Sequence, residues 1–277
     1  MTARLALVCA TLLVTAACGA DRPPDLPSMT SAAPAASTVA STVASAQVQA
    51  PRAVEPPPPP RAIEIVLDLS ASMRASMPAP EGGGTPSKRG PTRLEAMKAA
   101  ALDLVSRETE AMIGVVVFGA QAYSFWPITA DHEAVRTSVS NLDLGTIDDS
   151  ASAVGDGLAV AVEQLRKIGG VERTVVLFAD SASTGGTTTP EDAAALARAS
   201  SCRVVAIQVS DGAEADVMDG RDRKGAPRYK GMTFPARPAE LEQMATMTHG
   251  AFVVAPTADA VLTATRTLVD PRAERRE

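Results

Sequence analysis

Three side chains able to hold a hard cation stand at alternate positions where an apolar run ends. The stretch "IEIVLDLSASM" (63–73) passes from the texture of a buried strand into Asp68, Ser70 and Ser72. A turn leaving a strand can aim alternate residues at one point, and a serine is short enough to keep its hydroxyl close to the backbone. Further along, Asp180 ends a second apolar run, "RTVVLFAD", and Ser152 stands in the loop entering "SASAVGDGL". The set offers two carboxylates and three hydroxyls, all of them oxygen ligands. Mg²⁺ takes oxygens in octahedral array and keeps some of its waters, so this chemistry suits a hard divalent ion. The protein charges are too few to saturate such an ion. One position is left for an anionic oxygen from another molecule.

Other chemistry is thinly represented. His132 and His249 are the only histidines, lie far apart beside helical stretches, and read as surface or cap residues. A triad of Ser181, His249 and an aspartate lacks its frame, because "ADSAS" is not the Gly-x-Ser-x-Gly elbow of a nucleophilic serine. "EGGGTPSK" has glycines but no Gly-Lys-Ser/Thr and is not a phosphate loop. An enzyme is therefore not expected. With a net charge of −6, 3% aromatic residues and no basic stripe, the chain carries no footprint for nucleic acid.

The elements that must position the five oxygen donors are legible from Arg61 onward. "IEIVL" (63–67), "MIGVVVFG" (112–119), "RTVVLFA" (173–179), "CRVVAIQV" (202–209) and "AFVVA" (251–255) are nearly continuous apolar runs, as in strands covered on both faces. "AYSFWP" (122–127) follows the second run after a short turn and reads as an antiparallel edge strand. Helical periodicity fills 92–108, 152–168, 189–200, 237–249 and 257–269, with Thr189 as an N-cap and Pro190 in the first turn. This alternation predicts an α/β fold, a doubly wound, mostly parallel open sheet with one antiparallel edge strand. In such sheets ligands bind beyond the carboxyl ends of the strands, which is where Asp68 and Asp180 fall. Two segments interrupt the rhythm: a Gly/Pro-rich loop at 74–91, which would border the site, and a charged excursion at 211–236. Both read as loops.

The first 60 residues have a different character. Arg4 and the apolar run Leu5 to Ala17 predict a signal peptide over 1–18, too short to span a bilayer comfortably. It ends in "VTAAC", similar to a lipobox, which makes Cys18 the lipidation site; Gly19 after it implies sorting to the outer membrane in a Gram-negative cell. Residues 19–60 are rich in Ala, Ser and Pro and end in "EPPPPP", the composition of a disordered linker stiffened by polyproline II. Fully extended, such a linker reaches roughly 130 Å. Cys202 is left as the one thiol of a lipidated mature chain and reads as a small buried hydrophobe. Residues 271–277 form a charged tail.

"DLSASM" resembles the Asp-x-Ser-x-Ser signature of von Willebrand factor type A (VWA) domains, and the likeness runs across roughly residues 61–270. "RLEAMKAA", "IGVVVFGAQAYSFWPITAD", "SAVGDGLAVAVEQL" and "VVLFADSASTGG" are similar to successive segments of bacterial members, near those of aerotolerance operons. The resemblance implies a Rossmann-like fold and a metal-ion-dependent adhesion site. Ser70, Ser72 and Ser152 would bind Mg²⁺ (Mn²⁺ or Ca²⁺ as alternatives) through hydroxyls, and Asp68 and Asp180 directly or through water. The partner would be another envelope protein offering an Asp or Glu. Aerotolerance members often carry flanking transmembrane helices; here a lipid would replace them, anchoring the domain at the envelope and facing the periplasm. Ser152 stands where the family has Thr, and Ser181 where it has Gly. The rival reading is a metal-independent scaffold with a vestigial site. Oligomeric state is not legible.

Overall fold

The computed structural model describes residues 60–79, 89–180 and 183–269. The signal segment, Cys18, the linker up to residue 59, the centre of the Gly/Pro-rich loop, Ser181 and the tail lie outside the described residues.

The strands are β1 (Arg61–Asp68), β2 (Ser76–Pro78), β3 (Arg89–Thr92), β4 (Met112–Phe118), β5 (Ala122–Thr129), β6 (Glu172–Ala179), β7 (Cys202–Gln208), β8 (Glu214–Arg221), β9 (Pro227–Thr233) and β10 (Ala251–Val254). The helices are α1 (Arg93–Arg107), α2 (His132–Ser140), α3 (Val154–Leu165), α4 (Pro190–Ala199), α5 (Pro238–Met247) and α6 (Ala258–Leu268). The main sheet has six strands in the order β10-β7-β6-β1-β4-β5. All neighbours pair in parallel except β4 and β5, so the expected antiparallel edge strand is present.

Every residue of β1 is buried because helices cover both faces of the sheet. Ile63, Ile65 and Leu67 pack toward Met97 and Leu104 of α1 and Val261 of α6. Val66 packs the other way, against Leu158 and Val162 of α3 and Leu241 of α5. Capping fixes where the helices begin. The Thr92 hydroxyl accepts from the Glu95 amide while the Glu95 carboxylate accepts from the Thr92 amide, a reciprocal box opening α1. Thr189 caps α4, with Pro190 at the start of the helix.

Two glycines of the α3 segment have steric reasons. A Cβ on Gly155 would stand 2.1 Å from the Thr188 carbonyl oxygen, and one on Gly157 would stand 2.8 Å from the Phe118 ring. Gly155→Ala is therefore expected to destabilise the protein by about 1–3 kcal/mol, despite the gain in helix propensity. A thermal melt checks this, and a variant as stable as wild type would contradict it.

Cys202 is buried and unpaired, and burial pushes its thiol up to about 11, so it stays protonated as a core residue does. His249 closes α5 on an exposed left-handed turn with φ 53°, and a ring nitrogen of His132 bonds the Ala111 carbonyl at 2.7 Å. The Arg61 guanidinium, at the start of β1, donates to the Glu108 carboxylate at 2.6 Å and to the Val269 carbonyl at 2.9 Å. It thereby fastens the entry of the domain to the end of α6.

Residues 211–236 are not a simple loop: β8 and β9 form an antiparallel hairpin, with Met218 opposite Tyr229 and Ala215 opposite Met232. Its turn is built by Asp222, whose carboxylate accepts from the amides of Lys224 and Ala226 at 2.8 and 2.9 Å. The flanks of the Gly/Pro-rich segment likewise pair as β2 and β3. Helix α2, capped by Asp131, was not anticipated either. Among the described residues, no helix is long and apolar enough to cross a membrane.

Candidate metal-binding rim at the carboxyl end of the sheet

Strands β1 and β6 are adjacent and parallel, so Asp68 and Asp180 emerge at the same edge. Both are buried, Asp68 to 0% exposure and Asp180 to 1%. The chain turns directly after Asp68: its Oδ1 accepts the Ser70 amide at 2.7 Å, and Leu69 N–H is held by the Phe118 carbonyl at 2.7 Å. A short 3₁₀ turn at Ala71–Arg74 then carries Ser72 back, leaving the Ser70 and Ser72 hydroxyls 3.0 Å apart. Alternate spacing thus places these two serines on one point, as the sequence suggests.

Ser152 arrives from the loop between α2 and α3. Its hydroxyl donates to Asp68 Oδ2 at 3.0 Å. The loop is tied on both sides. The Ala71 amide bonds the Asp149 carbonyl at 2.9 Å, and the Ser152 amide donates to the Thr184 hydroxyl at 2.9 Å while the Ser152 carbonyl accepts the Thr184 amide at 2.9 Å. Four of the five predicted donors are therefore joined by direct hydrogen bonds.

Asp180 is the fifth, and its partner is a residue that sequence reasoning did not single out. Arg93, at the first position of α1 and 3% exposed, donates to Asp180 Oδ2 at 2.5 Å. Its other nitrogen donates to the Ser210 hydroxyl at 2.9 Å, and its guanidinium lies 5.1 Å from the centre of the Phe234 ring. A cation in the first turn opposes the helix macrodipole, and that anomaly was the one signal available in the sequence.

Asp180 Oδ1 is buried with no hydrogen-bond partner among the described residues. The two carboxylates also feel each other. Asp68 is pushed up to about 7, first by burial and then by the Asp180 charge, against the hydrogen bonds from Ser70 and Ser152. With both acids ionised and Arg93 charged, the pocket carries one net negative charge. An orphaned acceptor, uncompensated charge and three clustered hydroxyls form a donor set that fits a hard divalent ion. Among the described residues, no three His, Cys, Asp or Glu come together as a metal-binding group, so hydroxyls must complete any coordination here.

Ser70, Ser72 and Ser152 open onto a cleft of about 270 Å³, whose far wall includes Asp149, Thr184 and Phe234. A larger cleft of about 720 Å³ lies against Arg93 and Ser210, with Arg89, Asp211 and Asp216 in its walls. It contains none of the predicted donors.

Residues 63–183 match the model of the von Willebrand factor type A domain. An aerotolerance-related membrane protein from Bacteroides fragilis aligns with a TM-score of 0.59 and 22% identity, over 75% of this chain and 96% of its own. BatB from Bacteroides thetaiotaomicron aligns with a TM-score of 0.56 and 20% identity, over 75% of this chain and 100% of its own. Proximal thread matrix protein 1 from the mussel byssus, in a structure with a zinc-occupied MIDAS motif, aligns with a TM-score of 0.50 and 19% identity, over 75% of this chain and 46% of its own. No curated protein matches the chain. Over residues 63–183 the chain is similar to the von Willebrand factor type A domain, and its six-stranded sheet has the fold of these structures.

Proposed function

We propose that the protein is a binding module of the cell envelope that captures an acidic side chain of another envelope protein through Mg²⁺. In this reading residues 1–18 are a signal peptide lipidated at Cys18, 19–60 a tether, 61–270 the VWA domain and 271–277 a charged tail, with the anchor in the outer membrane and the domain in the periplasm. Asp68, Ser70, Ser72, Ser152 and Asp180 would hold the ion, and a partner carboxylate would fill the open position. The protein is a binder, not an enzyme. The ion supplies positive charge to which an outside carboxylate can attach. The observation that carries the reading is Asp180 Oδ1, a buried acceptor with no partner among the described residues, at the end of the strand next to that of Asp68, to which Ser152 and Ser70 bond.

The test is thermal. Mg²⁺ binding to the folded state stabilises by about 2.7 kcal/mol at a hundredfold excess over the dissociation constant. For a domain of this size that is an upward shift in Tm of about 5–10 °C. Asp68→Ala should abolish the shift, and equal shifts in variant and wild type would reject the site.

One observation favours a second reading. Arg93 already supplies a cation to Asp180, as a metal-independent scaffold with a vestigial site would require. In that case capture of the partner from an envelope extract survives chelator; in the first it does not.

A further inference from the structure

The β8–β9 hairpin stands on the rim of the site. Val217 of β8 bridges to Ala75, three residues past Ser72. Arg89 pairs with Asp216 at 2.7 Å and lies over the Tyr229 ring at 4.0 Å, clamping β8 and β9 to β3. Phe234, just after β9, lines the cleft shared with Ser70, Ser72 and Ser152. From that foot the hairpin changes sign. Its turn and returning strand, "RDRKGAPRYK" (221–230), have five Lys or Arg and one Asp, a net of +4 on a chain of −6, with Lys230 opposite Val217. Asp222 is turned inward onto its own turn amides. Arg223, Lys224 and Lys230 are exposed and form no ion pair among the described residues. Every residue of β9 is exposed, and its outer edge has no ladder partner among the described residues. Met218, Tyr229 and Met232 add exposed apolar surface.

We infer that the hairpin is the second half of the binding surface, and that the partner is an extended acidic segment of a protein rather than a single acidic residue. The inference rests on the reading above for the position of the first carboxylate. The segment would place one carboxylate at the Asp68/Asp180 rim and others against Arg223, Lys224 and Lys230. It would run beside the open β9 edge, whose backbone groups can pair with an added strand. A stretch of about seven residues, roughly 23 Å long, covers the distance from Val217 to Lys224. An anionic lipid surface would satisfy the charges but has no use for an open strand edge.

The test uses the full chain and two fluorescent probes, an oligo-glutamate peptide and a peptide with one glutamate among glycines, each measured with Mg²⁺ and with chelator. The triple substitution Arg223→Glu, Lys224→Glu and Lys230→Glu changes only exposed side chains. It should weaken oligo-glutamate binding about tenfold or more and flatten its salt dependence, while leaving the single-glutamate peptide and the Mg²⁺ thermal shift unchanged. Unchanged oligo-glutamate binding overturns the inference. Two forms of that outcome name what the charges do instead. Self-association of the triple variant makes them guards of an edge strand. Loss of sedimentation with phosphatidylglycerol vesicles makes them a lipid contact. If chelator and Asp68→Ala leave oligo-glutamate binding intact and the triple variant abolishes it, the metal reading falls and the hairpin surface stands.

Discussion

Arg93→Met lowers the stability of the folded protein by about 3–5 kcal/mol, or about 2–4 °C of Tm for each kcal/mol. The pair it breaks is almost fully buried, with side-chain exposures of 3% for Arg93 and 0% for Asp180. Such a pair adds little over a well-packed apolar substitute, but removing one member leaves the other charged and unsolvated. Asp180 would then lose its one side-chain hydrogen bond among the described residues and face the Asp68 charge without that of Arg93. Methionine fills much of the arginine stem's volume, so the loss reports charge rather than a cavity. The double variant Arg93→Met, Asp180→Asn settles the matter, because it removes the stranded charge and should recover much of the stability. A single variant within 1 kcal/mol of wild type by chemical denaturation (about the scale of an exposed pair) would contradict this account. Arg93→Lys should fall between, since an ammonium cannot span Asp180 and Ser210 as a planar fork does.

Glu64→Met changes stability in the opposite direction. Glu64 stands in the middle of β1, is fully buried, and neither carboxyl oxygen has a hydrogen-bond partner among the described residues. It lies across from Gly114, where a Cβ would come 2.7 Å from Glu64 Oε1, so the strand opposite gives the carboxyl its room. Burial pushes its pKa well above the ordinary 4.5, with Lys167 pulling weakly the other way. Below pH 4.5 both folded and unfolded chains carry the protonated acid, and Glu64 imposes only its unpaired polarity. As pH rises past that value the unfolded chain ionises while the folded one holds its proton. Stability is lost with rising pH until the folded carboxyl ionises too. Methionine, of similar length, removes both penalties. The variant should gain about 2–4 kcal/mol at pH 8 and distinctly less at pH 4, as melts at the two pH values will show. A variant less stable than wild type at pH 8 would mean that Glu64 has a partner in solution.

The sheet was legible because its inner strands are covered on both faces and so read as nearly continuous apolar runs, such as "RTVVLFA" and "CRVVAIQV". Asp68, Ser70 and Ser72 were legible because their spacing is local, and Ser152 and Asp180 because strand ends and helix entries converge in an open parallel sheet. Helix α2 was not, since only Val135 and Val139 mark its apolar face within nine residues. The β8–β9 hairpin was hidden by its charges. What holds it is not local alternation but contacts from Ala75 and Arg89, more than a hundred residues away. Arg93 reads in one dimension as the first polar residue of an amphipathic helix; only the packing of α1 brings it to the end of β6.

The Arg61 clasp has a consequence for how the molecule can be handled. Backbone enters beside the end of α6 and leaves from the same pole, while Asp68 lies about 23 Å away along β1, at the opposite pole. An immobilising group joined next to Arg61 or Val269 would hold the domain by that pole and leave the acid-and-hydroxyl crown at the other. The neighbouring ends also make the domain suited to circular permutation.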